Sequence, residues 1–449
     1  MIESPVVDLR SRIPDVPEPP AGTSLRVLVV SSVFPSAAHP TYGVFVKERV
    51  RAVANLPGVD LRVVAPTPFV PPLKSLRRRY VWWEFPAEEV MGGLRIVRPR
   101  FPMLPKIGGY FSSELMYPGL VRAVDRIRRE FEFDLIDAHF AYPSGVAAER
   151  LGRRYGVPVV ITGRGEDMHR FPSLPLIGRK IRRALARGAH CIALSEEIER
   201  TFLRNGADER RVTRIPNGID AAAFRLISRD EARRNLGLPL DRPIILSVGN
   251  LQELKGFHLL VDSLVEVRRR FPDVLLILVG DAAPYGENHR AAIVERIRAG
   301  ALADHVRLVG RRPHRELNEW YGAADVFALL SSREGSPNVL LEALACGTPA
   351  VATPVGGIPE ELSDPLLGIL LPERSAAAAA VGLSDALGRT WDHREIHARM
   401  QQRSWSRVAE QVLDVFERAV GTKTARARNE PPYVTDGAAR PMGVTHVGR

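Results

Sequence analysis

Residues Ser331–Leu362 read SSREGSPNVLLEALACGTPAVATPVGGIPEEL, and the fold of the whole chain follows from them. An apolar run, Ala324–Leu330, precedes the stretch and predicts a buried strand. Glu334–Asn338 is a short loop, after which the pattern predicts a helix over Val339–Cys346. Gly347 stands where a helix C-terminal cap is wanted, and Pro349 forbids continuation. Ala350–Thr353 predicts a second short strand, and Pro354–Gly357 a second tight loop before another helical start. The unit is strand, loop, helix, repeated.

The chemistry lies in the first loop. The backbone N–H groups of Gly335, Ser336 and Asn338 and of the first helical turn, which Val339 opens after Pro337, are free donors. Together with the helix dipole they suit a phosphate or a sugar hydroxyl. Glu334 and Glu342 bracket the site, and Glu342, four residues after Asn338, shares a helix face with it. Carboxylates accept hydrogen bonds from paired hydroxyls, as in a ribose or a hexose. By spacing alone, a plain buried α/β unit with solvated or capping glutamates reads equally well, since glycine-containing βα loops are common.

Two glutamates eight positions apart, inside EGSPNVLLEALACGTPAVAT and followed by GGIPE, resemble the donor-site signature of glycosyltransferase family 4. The resemblance spans residues 25–420. It implies an α/β chain of GT-B architecture, with two Rossmann-like doubly wound domains facing a central cleft and a C-terminal helix crossing back to the first. It also implies a retaining enzyme that uses a UDP-, GDP- or ADP-linked sugar as co-substrate, with no cofactor and no divalent metal. On that basis Glu342 holds the ribose hydroxyls, and Glu334 with the backbone of Gly335–Asn338 holds the hexose. Front-face attack, with the donor phosphate as base, is the expected chemistry.

The chain has 449 residues, 45% hydrophobic and 26% charged, a composition ordinary for a globular protein of two domains. Its two cysteines, Cys191 and Cys346, lie in apolar surroundings, which argues against a disulfide framework and for a reducing compartment. Residues 1–24 lack the apolar core of a signal peptide, and no run reaches the ~18 apolar residues of a membrane span. The expected location is the cytoplasm, extending to the inner face of the plasma membrane. Residues 1–235 hold 38 Lys and Arg against 26 Asp and Glu, the remainder 25 against 26. The first half therefore suits an anionic partner: a membrane surface, a lipid phosphate or nucleic acid.

Met1–Ser24 is polar and Pro-rich, and disorder is expected. Leu25–Ser31 reads as a buried parallel-type strand. The following loop carries Gly43 and leads into an amphipathic helix; the resemblance places Gly43 in the cleft. Pro68–Pro105 reads as the least regular part. It holds Arg77, Arg78 and Arg79 beside Tyr80, Trp82 and Trp83, a cluster suited to an anionic lipid interface, to single-stranded nucleic acid, or to a solvated insertion. Leu120–Phe131 predicts a basic helix. The strand Asp134–Phe140 ends at His139, where open α/β sheets bind ligands. A lone histidine there is more often structural; the family carries one near the donor sugar, which makes His139, with Glu334, a catalytic candidate.

Val157–Thr162 predicts the next strand, before GRGEDMHRF. Family members often read His-Gly-x-Asp here, whereas this chain has Arg164, Gly165, Glu166 and Asp167; Arg164 and Asp167 are candidates for the acceptor pocket. Gly178–Arg187 predicts a basic helix that suits a membrane surface or a solvated face. VTRIPNGID, Val212–Asp220, closes the domain. PIILSVGN, Pro243–Asn250, opens the second sheet, and its loop carries Lys255, a natural diphosphate ligand. Many family members have an arginine after Gly249. Asn250 stands there instead, so Lys255 carries more of the charge or another arginine substitutes. The Gly310–Arg312 turn is where the family's base stacks, which marks Arg311. A stripe of Trp405, Val408, Val412, Val415 and Phe416 predicts the crossing helix. The expected domains are 25–235 for the acceptor, 236–390 for the nucleotide sugar and 391–420 packing back, with a disordered tail over 421–449.

The function expected is transfer of a hexose to a glycan or polyprenyl-linked acceptor, in cell-surface polysaccharide or glycolipid synthesis at an anionic membrane. A nucleotide-sugar epimerase of the same architecture is the alternative. No nucleic-acid motif accompanies the charge, so nucleic acid is not an expected partner.

Overall fold

A computed structural model describes residues 25–69, 84–103, 108–282 and 288–421. The arginine–tryptophan cluster of residues 77–83 and the two terminal segments expected to be disordered lie outside the described residues. The first half forms strands β1 (Leu25–Ser31), β2 (Val59–Val64), β3 (Thr67–Phe69), β4 (Glu88–Met91), β5 (Leu94–Val97), β6 (Arg100–Pro102), β7 (Leu135–His139), β8 (Val159–Gly163), β9 (His190–Ala193) and β10 (Val212–Arg214). Eight of them make one sheet in the order β10-β9-β8-β7-β1-β2-β5-β4, parallel but for β4. Strand β1 is apolar throughout because both its faces are covered. Val27 and Val29 join Val46 and Val50 of the Val44–Ala54 helix, while Leu28 and Val30 join Met116 and Leu120 of the Gly108–Arg128 helix.

The second half forms β11 (Ile244–Val248), β12 (Leu275–Val279), β13 (Val306–Gly310), β14 (Val326–Leu329), β15 (Ala350–Ala352) and β16 (Gly368–Leu370). They order as β13-β12-β11-β14-β15-β16, all parallel. The last helix, Trp405–Val420, then returns to the first sheet. Its stripe of Val408, Val412, Val415 and Phe416 shares one core with Val46, Val50 and Val53. The architecture is GT-B: two Rossmann-like domains and a crossing C-terminal helix.

Within the region expected to be irregular, 68–105, the described residues 84–103 form regular structure. Gly92 and Gly93, at φ 58° and 82°, make the tight turn of a β4–β5 hairpin that extends the parallel sheet at its edge. Strands β3 and β6 pair separately. The helix expected at Leu120 begins twelve residues earlier, at Gly108, and carries Pro118 within it.

Candidate functional site

Strand register puts Ser31, His139 and Thr162 at one level, at the carboxyl ends of β1, β7 and β8. Arg49 reaches this level from the Val44–Ala54 helix, and its Nη1 donates to Thr162 Oγ1 at 2.9 Å. Its Nη2 lies 3.7 Å from Asp137 Oδ1. His139 Nε2 lies 3.1 Å from Asp137 Oδ2, and Arg164 Nη2 donates to His139 Nδ1 at 2.6 Å. Since Nδ1 accepts, the ring proton sits on Nε2, facing Asp137. Burial pushes this imidazole down to about 4, against the pull of Asp137, so it is neutral at pH 7. His139 is 0% exposed. At the strand end where the sequence reading places a catalytic candidate, the ring lies between Asp137 and Arg164, beneath the surface.

Asp167 is buried likewise. It is 1% exposed, and its carboxylate accepts the backbone N–H of Ala141 at 2.6 Å and of Arg164 and Gly165 at 2.9 Å. Burial outweighs those bonds and raises its carboxyl above the ordinary range. It braces the loops after β7 and β8. Arg164 stays within its own domain, donating from Nη1 to Asn217 Oδ1 at 3.1 Å. Gly43, at φ 73°, starts the Val44–Ala54 helix where a Cβ would lie 2.7 Å from Val33 Cγ1.

In the second domain the signature helix runs over Asn338–Ala345. Glu334 Oε1 takes both Lys255 Nζ and Ser331 Oγ at 2.6 Å. The two groups that the resemblance gives to hexose and diphosphate therefore neutralise one another. Lys255 sits on a 3₁₀ turn, Glu253–Lys255, which Arg374 holds from below by donating to the carbonyl of Glu253 and of Leu330 at 2.9 Å. Arg374 is an arginine the sequence reading did not single out. Gly249 bonds back to Val279 at 3.0 Å, and Asn250 is exposed beside it. Arg311, also exposed, ties the end of β13 to Ala282 at 3.1 Å. Glu342, 6% exposed, accepts Tyr321 Oη at 2.8 Å on Oε2 and meets His314 Nε2 at 2.9 Å on Oε1.

The two halves meet at the Glu334–Asn338 loop. Asn217 donates to the Ser336 carbonyl at 3.1 Å and to Asn338 Oδ1 at 2.8 Å. His169 Nε2 donates to the Glu334 carbonyl at 2.9 Å. A Cβ on Gly335 would lie 2.2 Å from the Arg164 carbonyl, so glycine alone permits this approach. Pro337 is the residue before the helix, and Val339 packs against the second core. The sequence reading names neither Asn217 nor His169 as a site residue: Asn217 stands in the Pro-Asn-Gly-Ile-Asp run that the resemblance places at the domain junction, whereas nothing local marks His169.

Two doubly wound sheets with a donor-rich loop of the second pressed on the strand ends of the first define a GT-B glycosyltransferase. The chain belongs to glycosyltransferase family 4. The pattern of that name matches residues 43–223, and that of glycosyl transferases group 1 matches residues 228–404. It is 31% identical over 333 residues to a D-inositol 3-phosphate glycosyltransferase of Xylanimonas cellulosilytica, covering 69% of this chain and 77% of that one. It is 28% identical over 379 residues to a glycosyltransferase assigned to teichuronic acid biosynthesis in Bacillus subtilis, covering 83% and 90%. The fold is shared with sucrose-phosphate synthase of Thermosynechococcus elongatus, at TM-score 0.70 and 21% identity over 88% of this chain and 99% of that one. It is also shared with Anabaena Alr3699/HepE, solved with UDP, at TM-score 0.66 and 19% identity over 88% and 100%.

Proposed function

We propose that this glycosyltransferase moves a hexose, with retention of configuration, from a nucleotide-diphosphate sugar to a glycan or lipid-linked acceptor in cell-surface polymer or glycolipid synthesis. The observation that carries the reading is the Glu334–Asn338 loop and helix start, seated beside Lys255 and Glu342 and against Arg164 and Asn217 of the other domain. Lys255 and the helix N-terminus would stabilise the leaving diphosphate. Glu342 would take the ribose, and Glu334, once Lys255 turns to phosphate, the hexose. The Anabaena protein of the same fold was solved with UDP, and the Bacillus relative is assigned to a cell-surface polymer. Both agree with this choice of donor and product.

The test is a thermal-shift screen of UDP, GDP and ADP and their common sugars. A ligand at a hundredfold its Kd adds ~2.7 kcal/mol to stability. One nucleotide is expected to raise Tm by several degrees, and by much less in Lys255→Ala and Glu342→Ala; no shift with any of them counts against the donor reading. For the acceptor, the basic first domain suits a polyprenyl-diphosphate-linked or other anionic lipid at a membrane face. The chain is then expected to sediment with anionic vesicles at low salt and to be released as salt rises. Failure to sediment removes the membrane part of the proposal.

A further inference from the structure

Where the domains face each other, the ribose carboxylate is not alone. A cavity of about 40 Å³ is lined by Glu48 of the first domain, Asp220 of the junction, His314, Asn338 and Glu342 of the second, and Trp405 of the crossing helix. His314 and Tyr321 each hold one oxygen of Glu342, and the ring of Phe224 packs edge-on against both, at 5.1 Å and 5.9 Å. A carboxylate oxygen has two lone pairs, so each oxygen keeps one free for a hydroxyl.

We propose that His314 is a positioning residue for donor binding: its Nε2–H, held on Glu342 Oε1, turns that carboxylate toward a vicinal diol, and its charge is balanced by Glu48 and Asp220 across the domain cleft. The proposal rests on the ribose reading of Glu342 given above. Tyr321 orients the other oxygen, and burial together with the Glu342 charge keeps its phenol protonated, so it donates at any working pH. His314 is different, because it titrates. Burial would lower it, but the bond to Glu342 and the charges of Glu342, Glu48 and Asp220 outweigh burial and raise it above 6.5. Glu48 is itself paired with Lys47 at 3.1 Å, so the ring faces three carboxylates, one of them already shared. Below its pKa the imidazolium holds Glu342 with a charge-assisted bond. Above it the neutral ring can shift its proton to Nδ1 and release Oε1.

The experiment measures Kd between pH 6 and 9 for whichever of UDP, GDP or ADP gives the largest thermal shift, and for its 2′-deoxy form. Wild type, His314→Gln and His314→Ala are compared. In wild type the ribonucleotide is expected to weaken by roughly tenfold as pH rises through the imidazole pKa, the size of one charged hydrogen bond. The 2′-deoxy probe should show little of this step. The diphosphate's own titration is common to both probes and cancels in their ratio. His314→Gln keeps a donor without a charge, so its ribo/deoxy ratio should be flat with pH. His314→Ala should lose roughly tenfold for the ribonucleotide and far less for the deoxy form. A wild-type pH step that survives in His314→Gln, or equal losses for both probes, overturns the inference and leaves the donor reading intact. Absence of binding to wild type at every pH overturns both.

Discussion

At the scale of single residues, the molecule concentrates its buried charge beneath the cleft. Arg49, Asp137, His139 and Arg164 are all within the first domain's interior, where two guanidinium groups already face one carboxylate, so a protonated His139 would add a further unbalanced positive charge. The unfolded chain protonates this histidine near 6.5, the folded chain at about 4. Between those values the unfolded state binds more protons, so stability is full above about 6.5 and falls as pH drops toward 4. The full difference is on the order of 3 kcal/mol. His314 works with the opposite sign: its contribution is present below about 6.5 and is lost as pH rises through its higher folded value. Urea midpoints measured from pH 7.5 down to 4.5 are expected to fall in wild type and to be flatter in His139→Gln, which carries no titrating group. Identical acid limbs in the two proteins would refute the assignment of that loss to His139.

At the scale of elements, the sequence shows clearly whatever is local. The run LRVLVVS and the Val408–Phe416 stripe are buried on their faces by period alone, and Ser331–Leu362 displays its loop and helix in order. The β4–β5 hairpin was legible too, in Gly92 and Gly93 between two alternating runs, but the many prolines and arginines around it obscured the signal. What could not be read were properties of tertiary placement. His139 looks the same in sequence whether it faces a ligand or, as here, sits between Asp137 and Arg164. Asp167 sits in a family-like motif, yet its oxygens are consumed by three backbone donors. His314, Tyr321 and Arg374 carry no local pattern, because each acts by touching Glu342 or the Lys255 turn from a distant part of the chain.

At the scale of the whole molecule, the crossing helix ties the two domains through the first domain's core, and among the described residues polar contacts join them at the cleft. Asn217 and His169 hold the Glu334–Asn338 loop from one side. On the other, Glu360 of the second domain accepts the Glu196 N–H at 2.7 Å and pairs with Arg214 at 3.2 Å. Glu196 opens the Glu196–Arg204 helix, so the Glu360 carboxylate lies at a positive helix end; burial nonetheless raises its carboxyl above the ordinary range, so the placement is worth at most about 1 kcal/mol. Contacts of that size set the balance between open and closed arrangements without deciding whether either domain folds. Removing one should shift the balance by roughly fivefold toward the open form. Glu360→Ala is therefore expected to raise the radius of gyration in small-angle scattering and to weaken nucleotide binding several-fold. Saturating nucleotide should restore the wild-type radius, and the melting transition of either domain should hardly move. An unchanged radius with unchanged affinity would mean that Glu360 merely decorates a junction held elsewhere. A lowered melting transition would place the residue in the folding of the second domain instead.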